Sequence, residues 1–153
     1  MKRIHLCTGI LEREGRVLLV ASRYPNHPEP LWNLPGGRQE PYELLEATLH
    51  REFDEEVALR IEIEHVAYVA ESFDRASETH YTNVAFVVRS DGEPKVREAD
   101  LHAVDCAWVE RSNVGERLIA AVVRTPLVSF LAGDRGAYYG FESADIRIEF
   151  HDG

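Results

Sequence analysis

Between Tyr42 and Val57 the residues Leu44, Leu45, Leu49 and Phe53 recur at helical spacing, while Glu43, Glu46, Arg51, Glu52, Glu55 and Glu56 fall on the other side. An apolar stripe with this period predicts an amphipathic helix that buries one face against a core. The flanking segments follow a different pattern. Ile4 to Leu11 and Arg16 to Ser22 read as strands joined at Glu14-Gly15, so the chain opens on a β-hairpin. Ile61 to Phe73, Tyr81 to Arg89 and Val104 to Val109 read as further strands, with a turn at Asp91-Gly92 and a charged loop from Pro94 to His102. Pro25, Pro28 and Pro30 make Tyr24 to Trp32 an irregular loop, and Leu34-Pro35-Gly36-Gly37 reads as a tight turn. Asn113 to Leu131 predicts a second helix, interrupted or kinked near Pro126 and ended by Gly133 and Gly136. Asp145 to Phe150 places Ile146, Ile148 and Phe150 on one face, which predicts a last strand, at a sheet edge or as a homodimer contact. Strands and helices mixed without regular alternation predict an α+β architecture, a mixed sheet between helices, in one domain over residues 1–153.

The net charge is −10. A surface of that sign repels a phosphate backbone and argues against duplex nucleic acid as a partner. A small anionic substrate stays compatible, because a bound divalent cation reverses the local field. Cys7 and Cys106 lie in apolar, strand-like surroundings without metal-ligand spacing, and read as reduced thiols of a cytoplasmic protein. The N-terminal apolar stretch is interrupted by His5 and closed by Glu12, Arg13 and Glu14, unlike a signal peptide. No apolar run approaches the roughly 18 residues of a membrane span. The minimal residues of a serine-hydrolase elbow, a zinc-protease helix or a P-loop are absent.

Glu52, Glu55 and Glu56 stand at i, i+3 and i+4, on one face of the expected helix. Like charges so placed oppose one another by a few tenths of a kcal/mol per pair, and folding does not call for them. A hard divalent cation offsets that repulsion, since Mg²⁺ favours carboxylate oxygens, water and phosphate. Arg51 follows Glu43 by eight residues, about two helical turns, close enough to fix its rotamer by a charge-assisted hydrogen bond. The preceding Pro35-Gly36-Gly37 lets backbone approach a ligand and offers carbonyl oxygens to a metal.

Taken together, Gly37, Glu43, Arg51-Glu52, Phe53, Glu55-Glu56 and Leu59 resemble the Nudix box, the signature of the Nudix hydrolases, across all its 23 positions. Trp32 to Gly37 is similar to the usual approach to that box. Ala58 departs from it, standing where the family usually has glycine, and Tyr42 replaces another frequent glycine. A glycine at the first position would end the helix with positive φ, a geometry that strains alanine by roughly 1 kcal/mol.

The resemblance implies a Nudix-like α/β/α sandwich and hydrolysis of a diphosphate linkage in a nucleoside diphosphate derivative or nucleoside triphosphate. It implies Mg²⁺ as cofactor, with Mn²⁺ able to substitute. Glu52 and Glu56 would be the main ligands, with Glu55 beside them and the Gly37 carbonyl completing the set; Glu43 and Arg51 would support them. The general base would be a box glutamate or a carboxylate of the charged loop, Glu98 or Asp100. Arg23 and Arg38 are candidates to meet phosphates, Glu40 to assist the metal, and Tyr81 and His80 to line the substrate pocket. Trp32 reads either as a stacking platform for a base or as a packing residue. Asp74-Arg75-Ala76 occupies the region where some subgroups carry a Pro or Tyr that marks their substrate. Two rival readings are a non-catalytic Nudix-like module that senses a nucleotide, and an allylic-diphosphate isomerase, which needs an active-site cysteine.

Overall fold

The computed structural model describes residues 1–97 and 102–150. β1 (Lys2–Arg13) and β2 (Arg16–Ser22) form the opening hairpin around Glu14 and Gly15, both at positive φ. Their antiparallel pairing is confined to Glu12↔Val17 and Arg13↔Arg16. Beyond it the strands diverge to other partners. β1 runs parallel to β6 (Thr79–Arg89) from Lys2↔Thr79 to Leu11↔Val88. On its other edge β1 takes β4 (Gly36–Arg38) antiparallel. β2 pairs with β3 (Leu31–Asn33) and β7 (Ala103–Glu110), and β6 pairs antiparallel with β5 (Glu62–Asp74). β8 (Tyr138–Phe141) closes the order β3-β2-β1-β6-β5-β8, parallel to β5. The sheet is therefore mixed.

Strand alternation sends side chains to two cores. Cys7, Leu11, Leu18, Val20, Phe86 and Val88 point to the face covered by α1 (Leu45–Val57), through Leu49, Phe53 and Val57. Ile10, Val17, Leu19, Tyr68 and Ala85 point to the opposite face, covered by Val114 and Leu118, and by Leu127 and Leu131 of the last helix. Because both faces of β2 are buried, Val17-Leu18-Leu19-Val20 is a continuous apolar run rather than an alternating one. No helix among the described residues is long and apolar enough to cross a membrane.

Four sequence expectations are corrected. The Pro35-Gly36-Gly37 stretch is not a tight turn, because Gly36 and Gly37 belong to β4 and pair with Thr8 and Cys7. The first helix starts at Leu45, with Leu44 as an exposed N-cap and Tyr42 at φ 63° outside it. The second helical segment is split. α2 (Val114–Arg117) follows a 3₁₀ turn, and α3 (Ala121–Leu131) begins after a break at Leu118–Ala120, while Pro126 sits inside α3. The break is held by Arg124, which donates to the carbonyls of Leu118 and Ile119, and by the Asp145 carboxylate, which accepts from the Ala121 N–H. Fourth, 145–150 is not a strand; the last strand among the described residues is β8, too short to show periodicity.

α1 ends in a left-handed residue, Ala58, at φ 55° and ψ 39°. The Ala58 N–H returns to the Asp54 carbonyl and the Leu59 N–H to that of Phe53, a Schellman-type closure. Tyr42 and Ala58 thus both hold the conformation that glycine accepts without strain. Ala58→Gly and Tyr42→Gly should each raise stability by about 0.5–1 kcal/mol, relief of strain outweighing glycine's greater freedom in the unfolded chain. Urea titrations check this, and a loss of stability at either position would contradict it.

Candidate active site

The last two turns of α1 carry Glu52, Glu55 and Glu56, and no basic residue lies in its final turn. Acidic groups there oppose the helix dipole, costing roughly 0.3–1 kcal/mol each. Glu56 is almost fully buried and accepts a hydrogen bond from the Gly36 N–H at 2.8 Å. Glu52 lies against Gly37 so closely that a Cβ on that glycine would sit 2.6 Å from its carboxyl carbon. A Cβ on Gly36, at φ 154°, would meet the Cys7 carbonyl oxygen at 2.1 Å. The two glycines thus let β4 lie between β1 and the glutamates of α1.

Arg51 organises the acidic face. Its Nε and Nη2 donate to the two oxygens of Glu43 at 2.9 and 3.0 Å, a bidentate pair. Nη1 donates to Glu52 at 2.8 Å and Glu55 at 3.4 Å, and Nη2 also reaches the Arg38 carbonyl at 3.0 Å. Glu43 accepts further from the Thr48 hydroxyl and the Glu40 N–H. The Arg51 hydrogen bonds, followed by that of Thr48, hold the Glu43 carboxyl down at about 2. Glu43 in turn holds the Arg51 guanidinium well above its ordinary value. Glu40 lies 3.8 Å from Arg51.

One cleft of about 780 Å³ brings these groups together. Glu52, Glu55, Glu56, Gly36, Gly37, Glu40, Arg23, Arg38 and Tyr81 all line it. Sequence reasoning did not single out Tyr24, Asn83, Glu71 and Arg147, which line it as well. Asn83 follows the polar Thr79 to Thr82 half of β6, so nothing local marks it; its amide donates to Thr8 at 3.2 Å. Burial and then the negative charges of Glu56 and Glu52 push the Tyr24 hydroxyl up to about 12.

Other sequence candidates lie elsewhere. Trp32 packs against the second core, with the Arg117 guanidinium 4.9 Å over its ring, and does not line the cleft. His80 does not line the cleft; it bonds to Glu71, which does, at 2.5 Å, and its ring is tilted to that of Phe73. Glu98 and Asp100 lie outside the described residues; the loop just before them is pinned to α1 by Arg97 on Asp54 and by the Lys95 N–H on the Val57 carbonyl. Cys7 is fully buried, held off the cleft, its thiol pushed up to about 12 by burial and then by Glu52.

The donor set suits a hard divalent cation: carboxylate oxygens from one helical turn beside backbone with no Cβ. Among the described residues no three acidic, imidazole or thiol groups converge as a preformed cage. Their present partners do not conflict with ligation, because a carboxylate has roughly four acceptor sites and a hydrogen bond to one oxygen leaves the other compatible with a metal.

A mixed sheet between helices, with a glycine strand packed against a glutamate helix beside one cleft, is the arrangement that the resemblance to the Nudix family implies. The NUDIX domain family model matches residues 2–128, and the chain belongs to this family. Among solved structures it is similar to the Escherichia coli ORF135 protein, at 25% identity and a TM-score of 0.72 over 86% of this chain and 91% of that one. It is similar also to a MutT NUDIX hydrolase from Burkholderia pseudomallei, at 26% identity and 0.71 over 83% and 97%. A NUDIX hydrolase from Nitrosomonas europaea, at 21% and 0.75 over 89% and 93%, shares the fold. No curated protein matches the sequence.

Proposed function

We propose that the protein is a Mg²⁺-dependent pyrophosphohydrolase that cleaves a diphosphate linkage in a nucleoside diphosphate derivative or a nucleoside triphosphate. The observation that carries this reading is the gathering of Glu52, Glu55 and Glu56, at the helix end least hospitable to them, on the same cleft as Arg23 and Arg38. Membership of a hydrolase family and likeness to a MutT NUDIX hydrolase support it.

Glu52 and Glu56, with Glu55 and the Gly37 carbonyl beside them, would hold the cation. Bound Mg²⁺, or Mn²⁺ in its place, supplies charge neutralisation at the diphosphate and makes a water more acidic. Arg51 keeps Glu43 and Glu52 in fixed rotamers, so the carboxylates need no reorganisation when substrate arrives. Arg23 and Arg38 attract the phosphates, and Tyr81 borders the remainder of the substrate. A glutamate of the α1 cluster, or Glu98, takes the proton of the attacking water.

A panel of nucleotide diphosphates and triphosphates, read by phosphate release after phosphatase coupling, should show turnover with Mg²⁺ or Mn²⁺ and none with EDTA. Mg²⁺ at about a hundred times its dissociation constant should add about 2.7 kcal/mol to stability, a rise of several degrees in Tm. Turnover that survives chelation, or a Tm indifferent to Mg²⁺, would sink the metal assignment.

A further inference from the structure

Residues 144–150 carry the alternation Ile146, Ile148, Phe150, yet pair with no strand. They line the cleft as a strap, with Ile146, Ile148 and Phe150 half-buried and Asp145, Arg147 and Glu149 exposed. One end is fixed where the Ala144 N–H donates to the Phe73 carbonyl and Arg147 pairs with Asp74 at 3.2 Å. The other is held by the proline-rich loop. Asn26 donates to the Arg147 carbonyl at 2.7 Å and accepts from the Glu149 N–H at 2.9 Å, so one amide side chain stands in for a neighbouring strand. His27 adds a 2.7 Å contact to the same carbonyl.

The strap carries Phe150 into the cleft. Its ring is T-shaped to that of Tyr24 at 6.2 Å and tilted to that of Tyr81 at 6.1 Å, and the Arg38 guanidinium lies over it, 5.3 Å from its centroid. Tyr24, Tyr81 and Arg38 line the same cleft as the glutamates. The aromatic cluster therefore adjoins a phosphate-binding candidate, and Ile146 and Ile148 extend its apolar surface. The strap lies beyond residue 128, where the family match ends, so this wall is supplied by the chain's own C-terminal segment.

We propose that Phe150 is a specificity residue: the wall on which a flat heteroaromatic group of the substrate stacks, so that the cleft favours diphosphates bearing a base over those bearing only a sugar or alkyl group. The strap is held through Ala144, Arg147 and Glu149, and the Phe150 ring just beyond them rests against Tyr24, Tyr81 and Arg38. Stacking of a base on an aromatic side chain contributes enough to change affinity about tenfold or more. The proposal rests on the diphosphate reading above, and its test separates the two.

Calorimetric titration with Mg²⁺ present compares a methylene-bridged, non-hydrolysable ADP analogue with methylenebisphosphonate, which has the diphosphate geometry and no base. In the wild type the nucleotide should bind tighter than the bisphosphonate. Phe150→Ala should lower the ratio of the two affinities about tenfold, and Phe150→Trp should restore it. An unchanged ratio, or tighter nucleotide binding in Phe150→Ala, overturns the stacking role; tighter binding would make the ring a plug that substrate displaces. If the wild type binds bisphosphonate but gains nothing from the base, the strap assignment falls and the diphosphate reading stands. If neither ligand binds, both fall.

Discussion

Glu56→Gln will lower turnover by at least about a hundredfold, the loss that follows removal of one preorganised group facing developing charge, while leaving the fold in place. The amide keeps the shape of the side chain and an oxygen to accept the Gly36 N–H, so the packing of β4 on α1 persists. What disappears is a negative charge in a buried position. Thermal stability without added metal should hold steady or rise, because a charge that repels Glu52 and opposes the helix dipole is gone. Stability gained from Mg²⁺ should shrink in parallel with activity. Steady-state kinetics and melting curves with and without Mg²⁺ check both. Wild-type rates in the variant would refute the ligand role, and an unfolded variant would refute the claim that the charge is not structural.

Arg51→Met should cost about 2 kcal/mol of stability, toward the lower part of the range for hydrogen bonds to charged groups because solvent partly screens the pair. It should lower turnover about 10- to 100-fold, the usual effect of losing a group that orients ligands. The stability loss carries a pH signature. Glu43 has its carboxyl held at about 2, against an ordinary value of 4.5. A depressed carboxyl adds stability that is fully present above the ordinary value and is lost as pH falls toward the folded one. The difference between wild type and Arg51→Met should therefore be constant above about pH 5 and narrow between about pH 4.5 and 2. Urea unfolding across that range measures it, and a difference that ignores pH would show that Arg51 acts through packing alone.

The two outcomes bear on how much was legible in the residues themselves. α1 could be read because it repeats its helical period over several turns, and the opening hairpin because two apolar runs flank Glu14-Gly15. The mixed sheet between helices followed from them. β8 could not be read, since its four residues are too few for any period. The break between α2 and α3 falls at Leu118–Ala120 rather than at Pro126, held by Arg124 just after it and by Asp145, far along the chain. Ile146, Ile148 and Phe150 do share a face, but nothing local says that this face meets a cleft rather than a neighbouring strand. Among site residues, the α1 glutamates are marked by their spacing. Tyr24, Asn83 and Arg147 reach the cleft only through tertiary folding, and Trp32 leaves it for the same reason.

The parallel pairing of β1 with β6 has a consequence for the nascent chain. Lys2 must find Thr79, and Leu11 must find Val88, so the first strand synthesised waits for about half the protein before its partner exists. Contacts so distant in sequence impose a loop-closure cost before they return any stability, which slows folding. Until residue 89 has left the ribosome, β1 carries β4 without its parallel neighbour β6, and the cleft lacks Tyr81 and Asn83. An N-terminal fragment ending at Leu59 would carry every residue of the 23-position signature and still lack Tyr81, Asn83, Arg147 and Phe150 of the cleft lining.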